Sequence, residues 1–116
     1  MLSDAPLKID RKQGKATDTV IFQLSGPLTL RNLFDFQSQL RSGLPAQLII
    51  IDISEVPYMD SAGMGLVMNQ YVHCQTKGAK LVIVGANSRV MDLFHVTKVS
   101  TILPLAASLE EAEADA

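Results

Sequence analysis

The chain has one cysteine, Cys74, so it can form no internal disulfide and no multi-cysteine metal cluster. That usage fits a reducing compartment, and a cytoplasmic location is expected. Apolar stretches run no longer than Leu48-Ile49-Ile50-Ile51, far short of the roughly 20 residues that cross a bilayer, so membrane insertion is not expected. The segment Met1-Leu2-Ser3-Asp4-Ala5-Pro6 has neither a basic start nor an apolar core, and secretion by the usual signal is not indicated. There is no cationic excess either: ten basic against twelve acidic residues leave a formal net charge of -2, which makes direct contact with nucleic acid improbable. No Gly-x-x-x-x-Gly-Lys-Ser/Thr loop and no metal-ligand spacing occur, so no cofactor is expected. What is present is apolar surface. Hydrophobic residues make up 47% of 116 residues and charged ones 19%, enough to close one core, and a single domain is expected with its ordered part from about Leu7 to Ala114.

Leu7 and Ile9 alternate with polar neighbours, as do Val20, Phe22 and Leu24 after the turn Gln13-Gly14-Lys15-Ala16-Thr17-Asp18, which predicts a hairpin. Ser25-Gly26-Pro27 ends the second strand. Leu30, Leu33, Phe34, Phe36 and Leu40 then recur near helical spacing until Gly43-Leu44-Pro45. Leu48 to Ile51 lacks polar alternation, the mark of a strand covered on both faces. From Ser61 to about Lys77 a stripe of Met64, Val67, Met68, Tyr71 and Cys74 predicts a second helix that stops at Gly78. A strand over Lys80 to Val84, a short helix capped by Asn87 or Ser88, a last strand at Ile102 and Leu103, and a terminal helix behind the Ser108-x-x-Glu111 box complete the chain. Antiparallel opening strands followed by strands alternating with helices predict an α/β fold with a mixed β-sheet covered by about four α-helices.

One segment is chemically odd for its place. Asp52-Ile53-Ser54-Glu55-Val56-Pro57-Tyr58-Met59-Asp60-Ser61-Ala62-Gly63-Met64-Gly65 leaves the C-terminal edge of a central strand, where α/β sheets bind ligands and partners, and enters a helix. Ser61 falls at or next to the helix N-cap, where free N–H groups and the helix dipole accept an anion. Gly63 and Gly65 each cost the helix about 1 kcal/mol relative to alanine, so something must compensate, either tight packing or close approach by a partner. The plain reading is that Asp60 or Ser61 caps the helix and the glycines allow packing on the preceding strand. Met64, Val67, Met68 and Tyr71 read first as core.

This segment resembles the signature loop of the STAS domain family of anti-sigma factor antagonists, and the likeness covers Leu7 to about Ala114 in family order. The resemblance implies that Ser61 is phosphorylated by an anti-sigma factor serine/threonine kinase of the GHKL type and dephosphorylated by a PP2C-type phosphatase. It implies a substrate and ligand, with no enzymatic activity of its own. Unphosphorylated, such a protein binds the anti-sigma factor and frees the sigma factor; phosphorylated, it lets go. The partner-binding residues carried over are Asp52, Ser54, Asp60, Ser61, Ala62, Gly63, Met64 and Gly65. A phosphate adds roughly -1.5 to -2 charges beside Asp60 and, on this reading, within reach of Asp52. Ala62 stands where many members have a second serine, and Thr29 follows Gly26-Pro27-Leu28 where many carry an aspartate, leaving Thr29 to cap helix one.

Catalysis needs a base near Ser61. His73 lies twelve positions along the same helix, about 18 Å away at 1.5 Å per residue, and His95 is expected to meet the carbonyls that end its own helix. The alternative function is a constitutive STAS interaction subunit of a larger lipid-transport or signalling assembly, in which Ser61 only packs or caps. Arg31, Asn32, Arg89 and Lys98 are further polar residues near the sheet ends that could face a partner.

Overall fold

Alternation along the opening strands sets the register of the whole sheet. In the computed structural model, which describes residues 6–42 and 46–114, β1 (Lys8–Gln13) pairs antiparallel with β2 (Thr19–Ser25), with Ile9 opposite Leu24 and Arg11 opposite Phe22. Next in the chain come α1 (Leu33–Ser42), β3 (Leu48–Glu55), α2 (Ser61–Thr76), β4 (Lys80–Val84) and α3 (Ser88–Val96). A 3-10 turn at Val99–Thr101, β5 (Leu105–Ala106) and α4 (Leu109–Ala114) follow. The sheet order is β1-β2-β3-β4-β5, and every pair after the hairpin is parallel, because each helix carries the chain back across the sheet.

β3 is the centre, with Leu48 through Ile53 all buried. Its odd-numbered residues Ile49, Ile51 and Ile53 join Phe22, Leu24, Phe36, Val67 and Phe94 in the main core under α1, α2 and α3. Phe22 and Phe36 meet edge to face at 5.6 Å, a geometry that adds about 1 kcal/mol to the burial of two large rings. Ile50 and Leu48, of the other parity, join Ile21, Val84 and Ala112 in a smaller core beneath α4. Glu113 of α4 accepts the Lys15 N–H at 2.7 Å and so ties the hairpin turn to this second layer.

Two expectations change. Helix one begins at Leu33, and its buried stripe is Leu33, Phe36 and Leu40; Leu30 and Phe34 fall off that stripe and are 61% and 63% exposed. The predicted stop at Gly43-Leu44-Pro45 lies outside the described residues. The last strand is Leu105–Ala106, after Pro104: the Pro104 carbonyl accepts the Ile83 N–H at 2.9 Å, while Ile102 is exposed and Leu103 turns into the core behind the 3-10 turn. Proline has no N–H to give the ladder, so pairing extends past it and not before it. Among the described residues no helix is long and apolar enough to cross a membrane.

Candidate functional site

The loop from β3 into α2 is fastened on two sides. On one, Leu28 bridges Met59: its N–H reaches the Tyr58 carbonyl at 3.2 Å and its carbonyl accepts the Asp60 N–H at 3.3 Å. On the other, the Asn87 amide donates to the Val56 and Pro57 carbonyls at 3.1 and 3.2 Å, while its oxygen caps α3 by accepting from Val90 N at 2.8 Å. Tyr58 lies under the Arg89 guanidinium, 5.0 Å from its ring centre. Val56 and Met59 turn inward and are buried, which holds the loop down between these two anchors.

Asp60 is the N-cap of α2. One carboxylate oxygen accepts from Gly63 N at 2.8 Å and the other from Leu30 N at 3.1 Å, so a single side chain caps the helix and holds the loop that precedes α1. Ser61 is therefore the first helical residue and is relieved of the capping task. It is exposed, and among the described residues its hydroxyl makes no hydrogen bond. Gly63 is buried against the Leu28 carbonyl, where a Cβ would collide with the oxygen and come within 3.0 Å of the carbonyl carbon. Gly65 is the opposite case, since a Cβ there would meet nothing within 4 Å. Ala62 and Met64 are half-buried at the margin of the core, and the Met64 sulfur accepts the Thr97 hydroxyl at 3.3 Å, which links α2 to the end of α3.

Six of the eight carried-over residues, Asp60 to Gly65, thus form one unit. Asp52 and Ser54 do not join it. They share parity with Ile50, so their side chains lie on the α4 side of the sheet while α2 covers the other. Asp52 is buried there, accepting from Gln23 Nε2 at 3.3 Å and from Ser54 N at 3.0 Å. The expectation that a phosphate on Ser61 falls within reach of Asp52 is corrected accordingly: the β-strand alternation puts a sheet between them.

Other residues also find their roles. Asn32 donates to the Pro27 carbonyl at 2.8 Å, and Thr29 is buried with its carbonyl accepting from Asn32 N. Lys98 follows α3 in the left-handed region, at φ 63°. His73 sits in the last turn of α2, and His95 Nδ1 lies 2.9 Å from the Ser100 hydroxyl instead of meeting helix-end carbonyls. Leu28 and the loop-binding side of Asn87 escaped sequence reading, because the first looks like any core leucine and the second was recognised only as a helix cap. Among the described residues no group of three or more His, Cys, Asp or Glu side chains is placed to hold a metal.

In comparison with known proteins, the STAS domain matches residues 11–112. The chain belongs to the STAS domain family. A curated relative, the anti-sigma-B factor antagonist of Listeria monocytogenes, is 31% identical over 67 residues, which is 58% of this chain and 56% of that protein. An anti-sigma factor antagonist from Mycobacterium paratuberculosis superposes with a TM-score of 0.85 at 15% identity, over 94% of this STAS domain and 92% of that chain. SpoIIAA in its unphosphorylated form superposes with a TM-score of 0.76 at 19% identity, over 93% and 95% of the two chains. At such identities the likeness to the solved structures is one of fold. The mixed α/β sheet is what the alternation of strands and helices led one to expect, and the STAS fold, with five strands and four helices, is what the resemblance implied.

Proposed function

We propose that this STAS domain is an anti-sigma factor antagonist in a partner-switching pathway, with Ser61 as the switch. One observation carries the reading: Ser61 is exposed at the start of α2 with its hydroxyl unengaged among the described residues, because Asp60 performs the capping. Modification of such a hydroxyl leaves every hydrogen bond of the helix start in place. The Listeria relative, an anti-sigma-B factor antagonist, supports the class of function.

In the proposed cycle the unphosphorylated domain binds an anti-sigma factor kinase of the GHKL type through Asp60 to Gly65 and releases the sigma factor. The kinase then transfers the γ-phosphoryl group of ATP to Ser61: the Oγ–P bond forms, the bond to the ADP leaving oxygen breaks, and the hydroxyl proton passes to a base of the kinase. The helix tolerates the new charge, since anions at a helix N-terminus gain about 0.3–1 kcal/mol from the dipole. The interface does not tolerate it. A surface shaped for a neutral hydroxyl now meets roughly two negative charges next to the Asp60 carboxylate and a bulkier group. A PP2C-type phosphatase resets the domain. Asp52 and Ser54, carried on the other face of the sheet, stand outside this Asp60-to-Gly65 unit.

The test is intact-mass spectrometry after incubation with ATP and the GHKL-type kinase encoded in the same genome, with wild type beside Ser61→Ala. The expected result is one phosphoryl group on wild type and none on the variant, and Ser61→Asp should lose kinase binding while unfolding within about 0.5 kcal/mol of wild type. No gain of mass in either protein, or an aspartate variant that binds as tightly as wild type, would favour a constitutive interaction subunit and sink the switch.

A further inference from the structure

At the end of α2 remote from Ser61, a cleft of about 610 Å³ opens between the last turns of α1 and α2. Small-molecule sites span roughly 300–1,000 Å³. Its floor lies where β3 and β4 begin, and two alanines stand there, Ala46 ahead of β3 and Ala79 ahead of β4, with Leu40, Ile49 and Leu66 beside them. The alanines leave room that larger side chains would fill. Cys74 completes the floor as a buried thiol, 3.8 Å from Gln70 Nε2, and burial pushes its pKa up so that it stays protonated and apolar at neutral pH.

The walls have a different chemistry. Gln37, Gln47, Asn69 and Gln70 place four side-chain amides around the opening, each able to donate and accept. The basic side chains of the lining are Arg41, His73 and Lys77, all exposed, and among the described residues no aspartate or glutamate lines the cleft, although the chain as a whole has a net charge of -2. Basic residues often sit at helix C-termini to satisfy the last carbonyls. Three of the last four in α2 already have partners. The Cys74 carbonyl accepts from Lys77 N and Ala79 N at 3.1 and 2.9 Å, that of Gln75 accepts from Gly78 N at 3.2 Å, and that of His73 accepts the Thr76 hydroxyl at 2.8 Å. The Lys77 side chain is exposed at the rim of the cleft, and the ion pair found among the described residues joins Lys12 to Asp10, far along the chain.

We infer that this cleft binds a small organic anion with an apolar body, its charged head between Arg41 and Lys77 and its body on the Leu40, Ile49 and Leu66 floor. The amides orient the ligand by hydrogen bonds. A shallower groove shares Gln37, Leu66 and Asn69 with the cleft and continues along α2 to Gly65 and Ala62, so ligand and partner would occupy two ends of one surface. The inference needs no kinase and stands apart from the switch role of Ser61.

The experiment is a titration of the ¹⁵N-labelled full chain followed by two-dimensional amide spectra, with octanoate, with octyl glucoside (the same chain on an uncharged head) and with inorganic phosphate (a head without a chain). Octanoate should shift the side-chain amides of Gln37, Gln47, Asn69 and Gln70 and leave those of Gln13 and Gln23 in place, with saturation below about 10 mM. The two partial probes should bind at least about tenfold more weakly. Replacing both cations, Arg41→Gln with Lys77→Gln, should weaken octanoate by about fivefold while the rest of the spectrum stays as in wild type, since both side chains are exposed. Octanoate that shifts none of these amides, octyl glucoside or phosphate that binds equally well, or a double variant with undiminished affinity would each overturn the inference.

Discussion

The first turn of α2 has two faces that obey different constraints. On the inner face Gly63 rests on the Leu28 carbonyl, Asp60 joins the helix to the loop before α1, and there is no space for one additional methyl group. On the outer face Ser61 and Gly65 are exposed, the hydroxyl has no hydrogen-bond partner among the described residues, and a Cβ at Gly65 would meet nothing within 4 Å. The inner face is explained entirely by the fold. The outer face is not: a helical glycine with open space at its Cβ position sacrifices about 1 kcal/mol of stability relative to alanine. Features that the fold does not need, placed next to a serine that it does not use, are what a docking surface looks like from one side.

The sharpest way to break this contrast is Gly63→Ala. The added methyl must displace the Leu28 backbone or the start of α2, and overpacking of this kind should cost about 3 kcal/mol, lowering the thermal midpoint by roughly 15 °C. Thermal unfolding within about 2 °C of wild type would mean that the two faces are equally permissive. Asp60→Ala comes next, since it removes the acceptors of both Gly63 N and Leu30 N; a loss of about 2 kcal/mol in urea unfolding is expected, and an unchanged midpoint would deny Asp60 its double role. Gly65→Ala should act with the opposite sign and the smallest size. It should stabilise the chain by about 1 kcal/mol in the same urea assay and, if the outer face docks the kinase closely, weaken that binding by about tenfold. A variant that gains stability and keeps full binding would leave the outer glycine without a purpose.

Much of the fold was legible from residue patterns. The unbroken aliphatic run of β3 announced a central strand, and the alternation of Val20, Phe22 and Leu24 placed those residues on one face of β2, though Ile21 on its other face is buried as well, beneath α4. The Ser108-x-x-Glu111 box held in part, with Glu111 N donating to the Ser108 hydroxyl at 3.1 Å. Leu30 and Phe34 misled the reading of helix one, since an apolar residue at nearly helical spacing looks the same whether it enters the core or covers the surface. Ile102 misled the reading of the last strand for the same reason, and only the pairing of Ile83 with the Pro104 carbonyl shows where that strand begins.

The site divides in the same manner. A capped helix start with a serine and two glycines behind a buried strand is a local fact, set by backbone preferences that act over a few residues, and the sequence alone determined it, while the choice of Asp60 over Ser61 as the cap, which leaves Ser61 exposed, came from the structure. Which glycine is structural and which is free, that Leu28 and Asn87 hold the loop, and that Asp52 lies across the sheet from Ser61 were decided only by tertiary structure. Those relations join residues 25 to 35 positions apart in the chain or depend on the parity of a strand as it meets its neighbours, and no local preference encodes either.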